Sequence, residues 1–269
     1  MIGYCVPVLP QLASYRLRVE IPSRHLKMAH RIGVGDVTFF FKGGNPDLAK
    51  RIDGPVVYDV VNAHFADPDY RAMLDVADVI TCSSEAMKWA IHKVTGRESV
   101  VIPDPYENGE SKPAVGSTVL WFGHPANAAS LKPYMDLDPV ICSEDWSRER
   151  EDADLASAGV VLLTGSNPGA SANRPAKAIR AGRFVVVPED CPHAWKELAD
   201  YIWIGDVREG VRWAIDNREE ACRKVTLGQK FVRSRFSPQL IGSQWADLFA
   251  STLARDTSTK PVGSALTSP

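Results

Sequence analysis

Residues 173–187, Asn-Arg-Pro-Ala-Lys-Ala-Ile-Arg-Ala-Gly-Arg-Phe-Val-Val-Val, constrain the fold of this 269-residue chain more than any other stretch. A helical run carrying Ala178, Ile179 and Ala181 stops at Gly182 and passes at once into the apolar run Phe184–Val187. A short apolar run with no polar alternation reads as a strand covered on both faces, the habit of parallel sheets. Upstream lies a Gly/Ser/Pro loop, Gly165-Ser-Asn-Pro-Gly-Ala-Ser-Ala172, that opens the helix at Asn173. The first backbone N–H groups of a helix have no intrahelical partner and sit at its positive pole. The junction therefore predicts an anion site, with Arg174 at its mouth. An ordinary helix–turn–strand would read the same way locally, so the surroundings decide.

The same rhythm recurs along the chain. In the first half Ile2–Leu9, Val37–Lys42, Pro55–Val61, Val79–Ser83 and Ser99–Ile102 read as strands. Helices are expected between them, from Pro22 to about His30, over Pro46–Ile52 and Pro68–Val76, and from Ser84 to Thr95 with Gly96 closing the last. Asp104–Gly116 breaks the pattern with Pro105, Asn108, Gly109, Ser111, Pro113 and Gly116, which is linker chemistry. The pattern then restarts. Strands are expected at Thr118–Phe122, Pro139–Cys142, Gly159–Thr164, Phe184–Val187 and Tyr201–Ile204. Helices are expected after the loop Gly123–Asn127, over Ser147–Ser157, Pro192–Leu198 and Val207–Asp216, and through Arg218–Arg235 and Pro238–Ala254.

Alternating short strands and amphipathic helices spell parallel βα units. The expectation is an α/β chain of two Rossmann-like domains facing a central cleft: residues 1–110, then 117–235, with a helix at 236–254 returning to brace the first domain and a disordered Ser/Thr/Pro/Gly tail at 255–269. Ligand crevices of such folds open at the carboxyl ends of the strands, and a cleft between two of them is a common binding place.

Composition narrows the function. The net charge of −2 supplies no global basic field for nucleic acid. One local exception gathers Arg16, Arg18, Arg24, Lys27 and Arg31 against Glu20, a face that either meets phosphates or is simply solvated. Cys5, Cys82, Cys142, Cys191 and Cys222 are scattered without a C-x-x-C pair, so reduced, buried thiols are expected and no metal site is assigned. The amino terminus shows no secretory pattern and no apolar run approaches the length of a membrane span, which gives the expectation of a cytoplasmic protein without an integral membrane segment.

Several segments, in order, resemble the glycosyltransferases of the GT-B architecture, in particular the group 1 or family-4-like branch. They are Ser14–Pro22, Val56–Phe65, Val79–Met87, Ser99–Glu107, Val119–Pro125, Asn173–Val187 and Phe236-Ser-Pro238 through Trp245. The resemblance implies transfer of a sugar from a nucleotide-sugar donor to a hydroxyl acceptor, with retention of configuration and without a metal or other cofactor. The second domain would hold the nucleotide and the first would shape the acceptor side. A growing glycan or lipid-linked glycan is the default acceptor, and a modified DNA base is a further, less favoured one. Where relatives carry two glutamates eight residues apart, this chain has Gly169 and Lys177, and the usual Gly-Arg after the first strand of the second domain is Gly123-His124. A catalytically inactive sugar-nucleotide or glycan binding module and a sugar-nucleotide epimerase stay open as alternatives.

Departure of a nucleoside diphosphate develops negative charge that cations and aligned N–H groups must meet. The candidates follow from that need. Arg174 and Lys177 are expected to act on the departing phosphate, with His64 reaching the donor sugar or acceptor at the end of the Pro55–Val61 strand. Gly123, His124, Lys132 and Asn173 join Arg174 as expected donor-binding residues; Asn127 is expected to cap its helix. Arg16, Arg18, Lys42 and Asp59 are expected on the acceptor side.

Overall fold

A computed structural model describes residues 1–5, 13–26, 30–142 and 147–259. Two all-parallel sheets carry the fold. The six-stranded sheet has the order β2-β1-β3-β4-β5-β6, with β1 Ile2–Cys5, β2 His30–Ile32, β3 Val37–Phe41, β4 Val56–Val60, β5 Val79–Cys82 and β6 Val100–Val101. The five-stranded sheet has the order β11-β10-β9-β7-β8, with β7 Val119–Phe122, β8 Val140–Cys142, β9 Val160–Leu162, β10 Phe184–Val187 and β11 Trp203–Ile204. Tyr4 stands opposite Phe39 in one, Val161 opposite Val185 in the other.

The apolar runs are buried on both faces because helices cover both. The three phenylalanines of β3 divide by the two-residue period of a strand. Phe39 and Phe41 join a core with Ile241, Trp245 and Phe249, while Phe40 turns to the opposite core with Tyr58, Met73 and Ile80. In the second sheet Leu120, Val161, Val185 and Val187 share one core, and Trp121, Val160, Leu162 and Phe184 the other.

Several of the helices start where short polar side chains can take their orphan N–H groups. In chain order they are α1 Ala13–Tyr15, α2 Ile21–His25, α3 Pro46–Ala49, α4 Pro68–Val76, α5 Glu85–Thr95, α6 Arg148–Ser157, α7 Asn173–Arg180, α8 Val207–Asp216, α9 Arg218–Arg235 and α10 Pro238–Thr259. A π-helical turn, Arg16–Glu20, joins α1 to α2, and 3₁₀ geometry runs over Pro125–Leu137 and His193–Leu198. Asn45, Asp67, Ser84, Ser147 and Asp206 cap α3, α4, α5, α6 and α8 through their side chains. Gly96 ends α5 at φ 70°.

Some boundaries differ from the sequence reading. The first helical segment begins at Ala13 rather than Pro22 and ends at His25, and the chain then adds β2, which the polar pair His30-Arg31 did not announce. Part of the expected strand beyond Cys5 lies outside the described residues. The helix after β7 is 3₁₀, since Pro133 inside it cannot donate to an α-helical ladder. His124 rather than Asn127 caps it, its Nδ1 accepting from the Ala126 N–H at 3.2 Å. The last helix continues to Thr259, correcting a tail expected from 255; residues 260–269 lie outside the described ones.

Two features tie the halves together. The connection after β6 runs along α7 and β10, with the Ser111 N–H donating to the Arg180 carbonyl and the Ala114 N–H to that of Gly182, both at 2.9 Å. Gly182 is required twice over, by its φ of 80° and because a Cβ would meet the Lys112 carbonyl oxygen at 2.4 Å. α10 then packs on the first sheet, where Trp245 meets Phe39 edge-on with centroids 5.3 Å apart and stacks on Phe249 at 5.6 Å. Burying each such side chain contributes about 1.5–3 kcal/mol.

Candidate functional site

Lys42 follows β3, Val61 follows β4, Ser83 follows β5 and Gly123 follows β7, and all four line one cavity of about 440 Å³ between the sheets. The carboxyl ends of both sheets thus open into a shared cleft, where an α/β fold places its ligands.

The second half supplies the anion pole. α7 begins without a side-chain cap from Ala172; the Ser171 hydroxyl takes the Asn173 N–H at a long 3.4 Å. Arg174 lies against this first turn. Its Nη1 donates to the Phe122 carbonyl at 3.2 Å, and its Nη2 to the Thr164 carbonyl at 3.3 Å and to the Ser166 hydroxyl. The Trp195 ring supports the guanidinium from 5.0 Å, and the Trp195 Nε1–H fixes the loop by donating to the Ser171 carbonyl at 2.8 Å. No carboxylate pairs with Arg174 among the described residues. Burial pulls its pKa down to about 10, against the smaller upward pull of the Glu151 charge. Gly123 makes the position available, because a Cβ there would come within 2.7 Å of Arg174 Nη1.

Lys177, one turn further along α7, lines the cavity but is already neutralised. Its ammonium is 2.5 Å from Glu151, 3.4 Å from Asp152 and 3.7 Å from Glu107. Burial works against its charge, and Glu151 together with Glu107 and Asp152 raises the pKa in spite of it. Glu107 in turn accepts from Arg16 at 2.7 and 3.0 Å. Burial would raise the Glu107 carboxyl, but Arg16 and then Lys177 hold it below the usual range. The expectation that Lys177 grips a phosphate is corrected: three acids surround it.

Arg18 and Asp59 are likewise removed from the acceptor side. Both are fully buried, joined by bonds of 2.9 and 2.6 Å, with the Thr81 hydroxyl donating to Asp59 at 2.7 Å. Arg18 also reaches Asp104 at 3.3 Å, and Asp104 accepts from the Ser171 hydroxyl at 2.5 Å. Burial raises the Asp104 carboxyl's pKa despite Arg18. This network welds β4, the connection and the loop before α7 into one back wall.

Of the other expected residues, Arg16, Lys42, Gly123, His124 and Asn173 line the cavity. His64 does not. It is an exposed turn residue that meets Tyr70 edge-on at 5.9 Å, and Asn62 faces the cleft in its stead. Lys132 is exposed on the 3₁₀ run and away from the cavity. Sequence reasoning missed Asp104 and Glu151. A usable signal existed for Glu151, which shares the buried face of α6 with Leu155 at i+4.

No protein-family model and no curated protein matches the chain. Solved structures do match its fold. HepE of Anabaena, crystallised with UDP-glucose, superposes with a TM-score of 0.69 at 11% identity, covering 93% of this chain and all (100%) of that one. WaaG, a glycosyltransferase involved in lipopolysaccharide biosynthesis, gives 0.62 at 11% identity over 92% of this chain and 99% of its own. AviGT4, a glycosyltransferase involved in avilamycin A biosynthesis, gives 0.56 at 15% identity over 94% and 98%. The two facing Rossmann-like sheets are therefore the fold of GT-B glycosyltransferases. No helix of the described residues is long and apolar enough to cross a membrane.

Proposed function

We propose that this chain is a glycosyltransferase that takes a sugar from a nucleoside-diphosphate donor and attaches it to an acceptor hydroxyl. The observation that carries the reading is Arg174: a desolvated cation with no carboxylate within ion-pair distance among the described residues, beside a start of α7 that its N-cap Ala172 leaves without a side-chain cap, in the cleft between two sheets. Such a group is costly to bury unless an anion completes it. HepE, which shares the fold, was crystallised with UDP, with UDP-glucose, and with UDP and glucose.

In the reaction the bond between the sugar C1 and the β-phosphate oxygen breaks, its electron pair remaining on that oxygen. The acceptor oxygen bonds to C1 and its proton passes to the leaving diphosphate. In this reading the Arg174 side chain and the N–H end of α7 meet the charge that grows on the phosphate, and His124 and Gly123 shape the adjoining wall. Fixed donors aimed at developing charge typically supply about 10²–10³ in rate. Retention fits this layout, since the departing phosphate can take the proton on the face it leaves, and the cations present would serve in place of a metal.

Incubation with UDP-, GDP- and dTDP-sugars, scored for nucleotide release with and without acceptor mixtures, tests the reading. Acceptor-stimulated release supports it. Binding without release, or a rearranged sugar released without acceptor, replaces it with a binding module or an epimerase.

A further inference from the structure

The charges lining the cleft do not cancel. Arg16, Lys42, Arg174 and Lys177 line it against the described acids Asp104, Glu107 and Glu151; Glu107 has Arg16, Glu151 has Lys177, and Asp104 shares Arg18 with Asp59. Two lining cations, Arg174 and Lys42, have no carboxylate within ion-pair distance among the described residues. Arg174 stands in the second half, where the donor diphosphate belongs. Lys42 stands opposite, at the carboxyl end of β3 in the first half.

The backbone at Lys42 makes its identity informative. Its φ is 48°, and among the described residues only Asp138 shares a positive φ without being glycine. An L side chain is disfavoured there, and a glycine would adopt the conformation freely. Strain of this kind persists at ligand-holding positions because the side chain is needed. The register of the sheet sets neutral groups beside it: Phe41 pairs with Asp59 and Val60 with Cys82, which brings Asn62 and Ser83 to the same rim of the cavity.

We propose that the acceptor carries a negative charge, a phosphate or a carboxylate, near the hydroxyl that receives the sugar, and that Lys42 binds this anion. The proposal rests on the donor reading above and adds the class of the acceptor. A lysine suits it, being a point charge that can serve either anion, with Asn62 and Ser83 at hand for neighbouring hydroxyls.

The test pairs each candidate sugar as its neutral methyl glycoside, its 6-phosphate and its uronate, with the full chain and its best-bound donor. The phosphate and uronate arms distinguish the two anions. Transfer to an anionic member should exceed that to its neutral partner by about tenfold or more in kcat/KM. Lys42→Met should remove that preference through KM, while the affinity for UDP, GDP or dTDP stays within about twofold. Lys42→Gly should lose the preference equally yet melt no lower than the parent, which separates recognition from folding. Equal use of neutral and anionic acceptors overturns the proposal, as does a Lys42→Met variant that loses nucleotide affinity. A chain that binds none of the three nucleotides overturns the donor reading and this proposal with it.

Discussion

Gly123 and Arg174 are fitted to one another: the guanidinium occupies space that a Cβ on Gly123 would fill to within 2.7 Å of Nη1. Gly123→Ala should therefore push Arg174 off the Phe122 carbonyl. We expect nucleoside diphosphate affinity to fall by about tenfold in calorimetric titration. An unchanged affinity would show that Arg174 does not hold the phosphate.

Arg174→Met removes the buried cation itself. Nucleotide affinity should drop by more than tenfold, on the order of 2 kcal/mol. The empty protein should nevertheless gain about 1 kcal/mol, seen as a melting temperature about 2–4 °C higher, because a desolvated charge is gone. A variant that melts lower would mean the guanidinium's hydrogen bonds outweigh its desolvation.

The same group sets a pH dependence. Its folded pKa, about 10, is depressed below that of the unfolded chain by burial. The destabilising cost is present in full below that value and is relieved as pH rises through it. Nucleotide binding needs the charged form, so affinity should hold level through neutral pH and decline above about 10. Titrations across that range, with Arg174→Met as the flat comparison, read it directly.

Asp59→Ala tests the back wall. Removing Asp59 takes away the two-bond partner of buried Arg18 and leaves it only Asp104, at 3.3 Å, at a cost of about 3 kcal/mol in denaturant unfolding. Nucleotide affinity of the folded fraction should not change. If stability survives and binding fails, Asp59 belongs to the site after all.

Glu107 gives the acid limb. Its folded pKa lies below the unfolded value, with Arg16 the main cause that lowers it against burial. Its stabilising contribution is therefore complete above the ordinary carboxyl range near pH ~4.3 and is lost as pH falls through the folded value. Glu107→Gln should lower stability at neutral pH and flatten the fall below about pH 4. Parallel acid curves for the two proteins would contradict the pairing.

The fold was legible where apolar runs and turn residues spoke together. Phe39-Phe-Phe41 and Phe184–Val187 could only be covered strands, and Pro68, Ser84 and Gly96 marked helix ends that the structure places at the same residues. Arg174 was legible through the loop–helix junction before it. What was not legible depended on tertiary pairing. Nothing local distinguishes Lys177, which meets three acids from two other segments, from a lysine awaiting phosphate. Nor does local sequence separate Arg18, buried against Asp59 41 residues away, from a cation facing solvent. His64 failed for a simpler reason: the turn at Asn62 carries it past the rim.

The return of α10 has a consequence for how the chain comes into being. Trp245 and Phe249 complete a core whose other walls, β1, β3 and β4, are made about two hundred residues earlier. During synthesis the first sheet must therefore wait with Phe39 and Phe41 uncovered until α10 has emerged from the ribosome. A nascent chain stopped before Pro238 should bind chaperones or be cut by protease at its first sheet, and emergence of α10 should end that exposure.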